Sequence, residues 1–147
     1  MKYVIILFMA VGLCASACND TDKKQPADPT VAAAAVDTSN FTQVQWLDSL
    51  VNFGNVNMGE HVQVAFKFKN VGTKPLFLTN VKAGCGCTVP DYTKGAIAPG
   101  KEGIVTGAFD TNKSHPGEVR KNIFVSTNTK DGTNHTLTFT GVIKEVK

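Results

Sequence analysis

Two cysteines separated by one residue form the cluster in this sequence whose residue types and spacing suggest chemistry. Cys85 and Cys87 lie in the run Ala-Gly-Cys-Gly-Cys-Thr at residues 83–88. In an extended segment, residues i and i+2 point to the same side. Three interpretations are open: two small buried apolar side chains, a disulfide formed in an oxidising compartment, or two thiolates of a soft-metal site for copper(I) or zinc.

The disulfide and the metal site each carry a geometric condition. Bridged Cα atoms are usually about 5.5–6 Å apart, and extended i and i+2 residues lie somewhat beyond that distance. A metal site needs further ligands, and His61 and His115 are the candidates. In an immunoglobulin-like strand order, the connections that hold them share one end of the domain with the cysteines. Two thiolates and two imidazoles are a zinc-compatible set, whereas His135 is expected at the opposite end. A histidine in a loop is also commonly just a solvated surface group.

Catalytic signatures are absent from the sequence. It contains no GxSxG, HExxH, GxxxxGK[ST] or GxGxxG motif. Its few carboxylates form no pair of the kind that glycosidases use. We therefore expect a protein that is not an enzyme and has no cofactor.

Short runs of β-prone residues are the elements that must position the two cysteines. The clearest run, at 61–69, alternates Val62, Val64, Phe66 and Phe68 with polar or small residues, which is typical of a half-buried strand. Gly, Pro, Asn or Asp bound the runs, and no window has helical periodicity. The predicted strands are 42–46, 49–53, 61–69, 76–81, 103–109, 119–127 and 136–143.

About seven strands at this spacing predict an all-β fold, an immunoglobulin-like antiparallel β-sandwich. The widely spaced Cys…Trp…Cys framework of antibody domains is missing, so no disulfide is expected between the sheets. The core must then be held by burial alone. Its expected aromatic members are Phe53, Phe66, Phe68, Phe77, Phe109, Phe124 and Phe139.

The first 17 residues have the layout of a signal peptide. Lys2 precedes an apolar run at 4–13, and Ala-Ser-Ala follows at 15–17. The run is too short to span a membrane, which takes about 20 apolar residues. Cys18 comes next, and the segment resembles a bacterial lipoprotein signal, whose final cysteine is diacylated. The alternative is ordinary cleavage after Ala17, which would leave Cys18 free.

The following segment lacks aromatic residues and a periodic apolar face. Residues 18–40 are rich in Asp, Lys, Pro, Thr and Ala, which is typical of a disordered tether. The predicted organisation is a lipoprotein signal peptide at 1–17, a lipidated tether at 18–40 and a β-sandwich domain at 41–147.

Several short motifs resemble a bacterial family of unknown function. They are Phe53-Gly54-x-Val56-x-x-Gly59-Glu60, Phe66-x-Phe68-x-Asn70-x-Gly72, Pro75-Leu76, Cys85-Gly86-Cys87-Thr88, Ala98-Pro99-Gly100-x-x-Gly103 and Phe109-Asp110. In this order, over about 50–142, they resemble the domain-of-unknown-function family 1573, common among Bacteroidetes lipoproteins. The resemblance implies an immunoglobulin-type sandwich akin to Hydin-type and major-sperm-protein-type domains, and no established activity.

The charge balance limits the class of partner. With 15 basic and 12 acidic residues the net charge is +3, too small for a nucleic-acid-binding surface. We expect a lipoprotein held through Cys18 in the inner or outer membrane, with its domain in the periplasm or at the cell surface. A loop end or an unpaired sheet edge would bind another envelope protein without catalysis. The alternative is a periplasmic protein that handles redox equivalents or soft metals through Cys85 and Cys87.

Overall fold

The structure of the folded region comes from a computed structural model that describes residues 38–146. The predicted signal peptide, Cys18 and all but the last three residues of the predicted tether lie outside this range. Within residues 38–146, no helix is long and apolar enough to cross a membrane.

Eight strands form two four-stranded sheets. The strands are β1 (Val44–Trp46), β2 (Leu50–Asn57), β3 (His61–Asn70), β4 (Leu78–Ala83), β5 (Thr88–Tyr92), β6 (Glu102–Asp110), β7 (Gly117–Thr127) and β8 (Asn134–Lys144). Sheet 1 has the order β1-β3-β6-β5, and sheet 2 has the order β2-β8-β7-β4. Short 3-10 helices at Thr38–Asn40 and Thr111–Lys113 complete the described elements.

This arrangement confirms the predicted immunoglobulin-like sandwich, with two features that the pattern did not predict. One strand pair, β2 with β8, is parallel, whereas the other pairs of named strands are antiparallel. Strand β5 was not predicted, because it is short and contains Pro90. Proline is tolerated in a strand at a sheet edge, and β5 is the edge of sheet 1.

The core lies between the sheets and is largely aromatic and aliphatic. Phe53, Phe109 and Phe139 form a triangle of tilted rings with centroids 5.5–6.2 Å apart. Five of the seven predicted phenylalanines lie in the core or pack against it. The prediction is wrong for Phe77 and Phe124, which are 42% and 47% exposed. Phe124 lies between the buried Ile123 and Val125, so strand alternation turns its ring outward.

Two glycines in the strands make room for aromatic rings. A Cβ atom on Gly103 would overlap the ring of Phe68, and a Cβ atom on Gly141 would overlap the ring of Phe53. Each ring therefore lies directly against the backbone of a neighbouring strand. The glycines at these two positions are explained by close packing rather than by backbone conformation.

A buried asparagine ties together the loops at one end of the sandwich. The Asn70 amide donates hydrogen bonds to the carbonyl oxygens of Lys74 and Ile97, both at 2.8 Å. Its side-chain oxygen accepts from the hydroxyl of Thr42 at 3.0 Å and from the Gly72 backbone N–H at 3.1 Å. Asn70 is fully buried, and each of its side-chain donor and acceptor atoms is used.

We expect Asn70→Ala to lower the free energy of unfolding by about 3–5 kcal/mol, because it leaves several buried polar groups without a partner. Urea denaturation measures this. Asn80→Ala is the control, since Asn80 is exposed and its loss should change stability by no more than about 0.5 kcal/mol. Equal effects of the two substitutions would contradict the role assigned to Asn70.

Candidate functional site

A short connection between β4 and β5 carries the two cysteines, and we call residues 84–87 the disulfide turn. The connection crosses from the edge of sheet 2 to the edge of sheet 1. At its start the Gly84 N–H donates to the Asn122 carbonyl on β7 at 2.9 Å. At its end the Asp110 N–H of β6 donates to the Cys87 carbonyl, also at 2.9 Å. The turn is thus hydrogen-bonded to both sheets.

Cys85 and Cys87 are joined by a disulfide. Their Cα atoms are 5.3 Å apart, inside the range of ordinary disulfides, because the segment turns instead of running extended. Cys87 is buried against the core and Cys85 is half-buried. The hydroxyl oxygen of Thr88 lies 3.6 and 3.8 Å from the sulfurs of Cys85 and Cys87. Of the three interpretations left open by the sequence, the structure contains the disulfide.

Gly84 suits the close approach of the turn to β7. A Cβ atom there would lie 3.2 Å from the Asn122 carbonyl oxygen and 3.4 Å from the ring of Phe124. A Cβ atom on Gly86 would meet no atom of the described residues within 4 Å, so their packing does not explain this second glycine. The half-exposed ring of Phe124 lies beside the start of the turn.

The candidate metal ligands do not converge in the described part of the chain. His61 begins β3 and lies in register with Asp110, so it is at the same end of the domain as the turn. His115 follows the second 3-10 helix, and both imidazoles are exposed. Residues 38–146 contain no group of three or more His, Cys, Asp or Glu side chains placed to hold a metal ion. The sulfurs are bonded to each other, which removes the two thiolates from the proposed set.

His135 is the second residue of the last strand and lies at the opposite end from the turn. Its Nε2 atom is 3.1 Å from the Thr127 hydroxyl and 3.3 Å from the Thr129 hydroxyl. Its ring packs on Trp46, with centroids 5.6 Å apart. Burial lowers the pKa of His135 below the usual value, because desolvation disfavours the charged imidazolium. His135 is part of the packing at this end and has no place in the candidate site.

A stripe of apolar side chains crosses the outer face of sheet 1 just beyond the disulfide turn. We call Val89, Ala108, Ala65 and Ile104 the outer stripe. Val89 on β5 is in register with Ala108 on β6, and Ala65 and Ile104 continue diagonally across β3 and β6. Val89 is 69% exposed and Ile104 is 36% exposed. The alternation in the sequence identifies the outward-facing positions of β3. It does not predict the outer stripe, because the stripe also depends on β5 and on the register between the strands.

The edges of both sheets are modified in ways that discourage pairing with another strand. Strand β1 has three residues, and β2 and β4 each contain a register shift. In β5, Cys87 and Thr93 form backbone hydrogen bonds with β6. Because hydrogen-bonding direction alternates along an antiparallel strand, the backbone N–H and C=O groups of residues 88, 90 and 92 face away from β6, toward the free edge. Pro90 has no N–H to offer at this free edge. These are the usual devices that prevent edge-to-edge association.

The fold and the site together define an immunoglobulin-like β-sandwich with a disulfide-closed crossing between its sheets. The model of a family described as proteins of unknown function (DUF1573) matches residues 44–143. This match covers more than half of the chain, and the chain belongs to that family. The resemblance seen in the sequence motifs is therefore confirmed. No protein with a curated description matches the sequence.

Solved structures agree on the fold. A protein of unknown function from Porphyromonas gingivalis W83 is 17% identical, with a TM-score of 0.64, over 74% of this chain and 50% of that one. This chain thus covers half of its relative's length. PapD-like domain 7 of human CEP192 is 13% identical, with a TM-score of 0.57, over 96% of this chain and 100% of that domain.

The VesB protease of Vibrio cholerae also contains a similar region. It is 18% identical, with a TM-score of 0.55, over 71% of this chain and 32% of the protease. At these identities the likeness of all three structures shows the shared fold alone.

We expect the double substitution Cys85→Ser and Cys87→Ser to leave the domain folded and to lower its unfolding free energy by about 1.6 kcal/mol, since the bond closes a loop of only about three residues. Urea denaturation of both chains measures this. Under reducing conditions the difference should vanish, because the parent then lacks the bond as well. A difference that persists with reductant would mean that packing of the cysteine side chains, and not the bond, is responsible.

Proposed function

We propose that the chain is a lipid-anchored envelope protein whose β-sandwich binds another envelope protein without catalysis. The observation that carries this proposal is the outer stripe, an exposed apolar surface on an otherwise polar sheet face. Contiguous exposed apolar surface on a soluble domain marks an interaction site more often than isolated apolar residues do. The stripe lies beside the disulfide turn, which ties the adjacent strands in place.

The side chains around the stripe suit a flat partner surface. Ala65 and Ala108 form its middle, and Thr106 lies in register with Ala65. The exposed side chains of Gln63 and Lys67, which are in register with Ala108 and Ile104, flank this middle part and belong to the polar border. Charged groups lie at the border, where Asp91 and Lys94 form an exposed ion pair at 3.0 Å. An apolar centre with a polar rim is the usual organisation of a protein interface.

The sequence also suggests that a partner strand could pair with an unpaired sheet edge. Binding through the outer face is a different mode. The shortened, shifted or proline-bearing edges disfavour an added strand. A sheet face offers side chains instead of backbone groups. We therefore place the contact on the outer face of sheet 1.

Membrane anchoring is the second part of the proposal and depends on the N-terminal sequence. A cysteine directly after a signal-like segment supports lipidation at Cys18. Two or more acyl chains would hold the protein stably, whereas one chain binds only marginally. The residues between Cys18 and the first strand would then serve as a tether.

The alternative is a thiol–disulfide function of the turn. Partial exposure of Cys85 favours it, because an attacking thiolate needs access to a sulfur atom. Reduction by a dithiol would transfer two electrons and two protons and leave two thiols in the turn. Partner capture by the Cys85→Ser and Cys87→Ser double variant separates the two functions. Docking through the outer stripe should survive this double substitution, whereas a thiol–disulfide function should be lost.

We expect Val89→Lys to reduce capture of the partner about tenfold or more, because it places a charge at the most exposed apolar side chain of the outer stripe. The measurement is quantitative mass spectrometry of proteins crosslinked to the chain in envelope membranes. Thr136→Lys, on the exposed outer side of sheet 2, is the control and should retain capture.

Three outcomes would contradict the docking proposal. Unchanged capture with Val89→Lys would remove the stripe from the contact. Equal loss with Thr136→Lys would show that added charge alone is responsible. Loss of capture in the double cysteine variant, with Val89→Lys unaffected, would favour the thiol–disulfide alternative.

We expect Cys18→Ala to move the chain from the membrane fraction to the soluble fraction, because the acylated residue is removed. Cys14→Ala is the matched control, since Cys14 precedes the predicted cleavage site and should not affect anchoring. Membrane fractionation and the mass of the N-terminal peptide measure the result. An unmodified N-terminal peptide in the parent chain would contradict lipidation.

A further inference from the structure

An open groove lies on the outer face of sheet 2, on the side of the sandwich away from the outer stripe. It has a volume of about 600 Å³, which is within the range of ordinary ligand sites. Strands β2, β8 and β7 form it side by side. The two register rows that cross it are Asn52–Thr140–Arg120 and Asn55–Val142–Glu118.

An extra residue in β2 shapes the groove. The register of β2 against β8 shifts between Asn52 and Asn55. Gly54 lies in this bulge with φ at 79°, a conformation that favours glycine. The side-chain oxygen of Asn52 accepts a hydrogen bond from the Gly54 N–H at 2.7 Å and so stabilises the bulge. The two asparagines form one wall of the groove, opposite the long side chains of β7.

The polar groups of the groove differ from those elsewhere on the same sheet face. Farther along, Thr138 donates to Asn122 at 3.0 Å and Ser126 donates to Asn134 at 2.8 Å, so these side chains satisfy each other. In the groove, the guanidinium group of Arg120 makes neither an ion pair nor a hydrogen bond with a described residue. The same holds for the hydroxyl of Thr140. Donor groups are therefore open to a ligand.

The combination of donors and acceptors indicates the chemical class of that ligand. Arg120 can only donate and ionised Glu118 can only accept, while Asn55 can do both. Glu118 and Arg120 lie on the same face, because they are two residues apart on one strand. The negative charge of the Glu118 carboxylate therefore disfavours binding of a simple anion beside Arg120. A hydroxyl group both donates and accepts hydrogen bonds. A ligand with neighbouring hydroxyl groups can therefore pair with the donor Arg120, the acceptor Glu118 and the amide of Asn55. Among the described residues that line the groove, the apolar side chains larger than a methyl group are Val119, which is buried, and Val142, which is half-buried. They offer little exposed apolar surface to a protein partner.

We propose that this groove binds the hydroxyl groups of a saccharide, with Arg120, Glu118, Asn55 and Thr140 as its hydrogen-bonding residues. None of the described residues that line the groove is aromatic, so affinity comes from hydrogen bonds alone and lies in the millimolar range. The site is independent of the outer stripe, because the two lie on different sheets.

The test is a titration of the isotopically labelled full chain with cellobiose and maltose, followed by amide shifts in NMR spectra. We expect shifts confined to the groove segments of β2, β7 and β8 for at least one of the two sugars. Arg120→Ala should weaken binding about tenfold, because it removes charge-assisted hydrogen bonds. Lys82→Ala, an exposed cation on β4 of the same sheet, should leave it unchanged.

A parallel titration with inorganic phosphate distinguishes a sugar site from an anion site. Glu118→Gln should weaken binding of the sugar, because a charged acceptor is lost, and should strengthen binding of phosphate. The proposal is overturned if only phosphate shifts the groove amides, if neither sugar does so at tens of millimolar, or if Arg120→Ala binds as the parent does.

Discussion

The crossing between the two sheets is the constraint on which the arrangement of the surfaces depends. The chain leaves β4 at Ala83 and enters β5 at Thr88, so four residues connect two layers that pack about 10 Å apart. The disulfide shortens this connection further by joining Cys85 to Cys87. Hydrogen bonds to β6 and β7 hold both of its ends. Val89, the first outward residue beyond the crossing, is thereby fixed in register with Ala108 at one end of the outer stripe.

The rest of the sandwich supplies a rigid base for that surface. At the end away from the turn, Asn70 joins the loops around β3 through a fully satisfied buried amide. Between the two ends, the triangle of Phe53, Phe109 and Phe139 fills the space between the sheets. We therefore propose that binding uses the outer faces, where side chains are exposed, and not the edges, where pairing is discouraged.

The sequence predicts the parts of this molecule that depend on local alternation. Strand β3 and its buried Val64, Phe66 and Phe68 follow from a period of two, and the count of strands gives the sandwich. Strand β5 was not predicted, because it is short and contains Pro90. The parallel pairing of β2 with β8 was not predicted, because it joins residues that are far apart in the sequence. The state of the two cysteines depends on a turn that spacing alone does not define. The groove on sheet 2 depends on a bulge that only the register reveals.

The central claim is that the outer face of sheet 1 is covered by a partner in the envelope. Hydroxyl-radical footprinting of the chain in intact envelopes and after purification tests it most directly. Val89 and Ile104 report on the outer stripe, and Leu50 and Phe124, also exposed but on sheet 2, are internal references. We predict that labelling in the envelope falls at Val89 and Ile104 and stays unchanged at the two references. Equal labelling of all four residues in both states would contradict the claim.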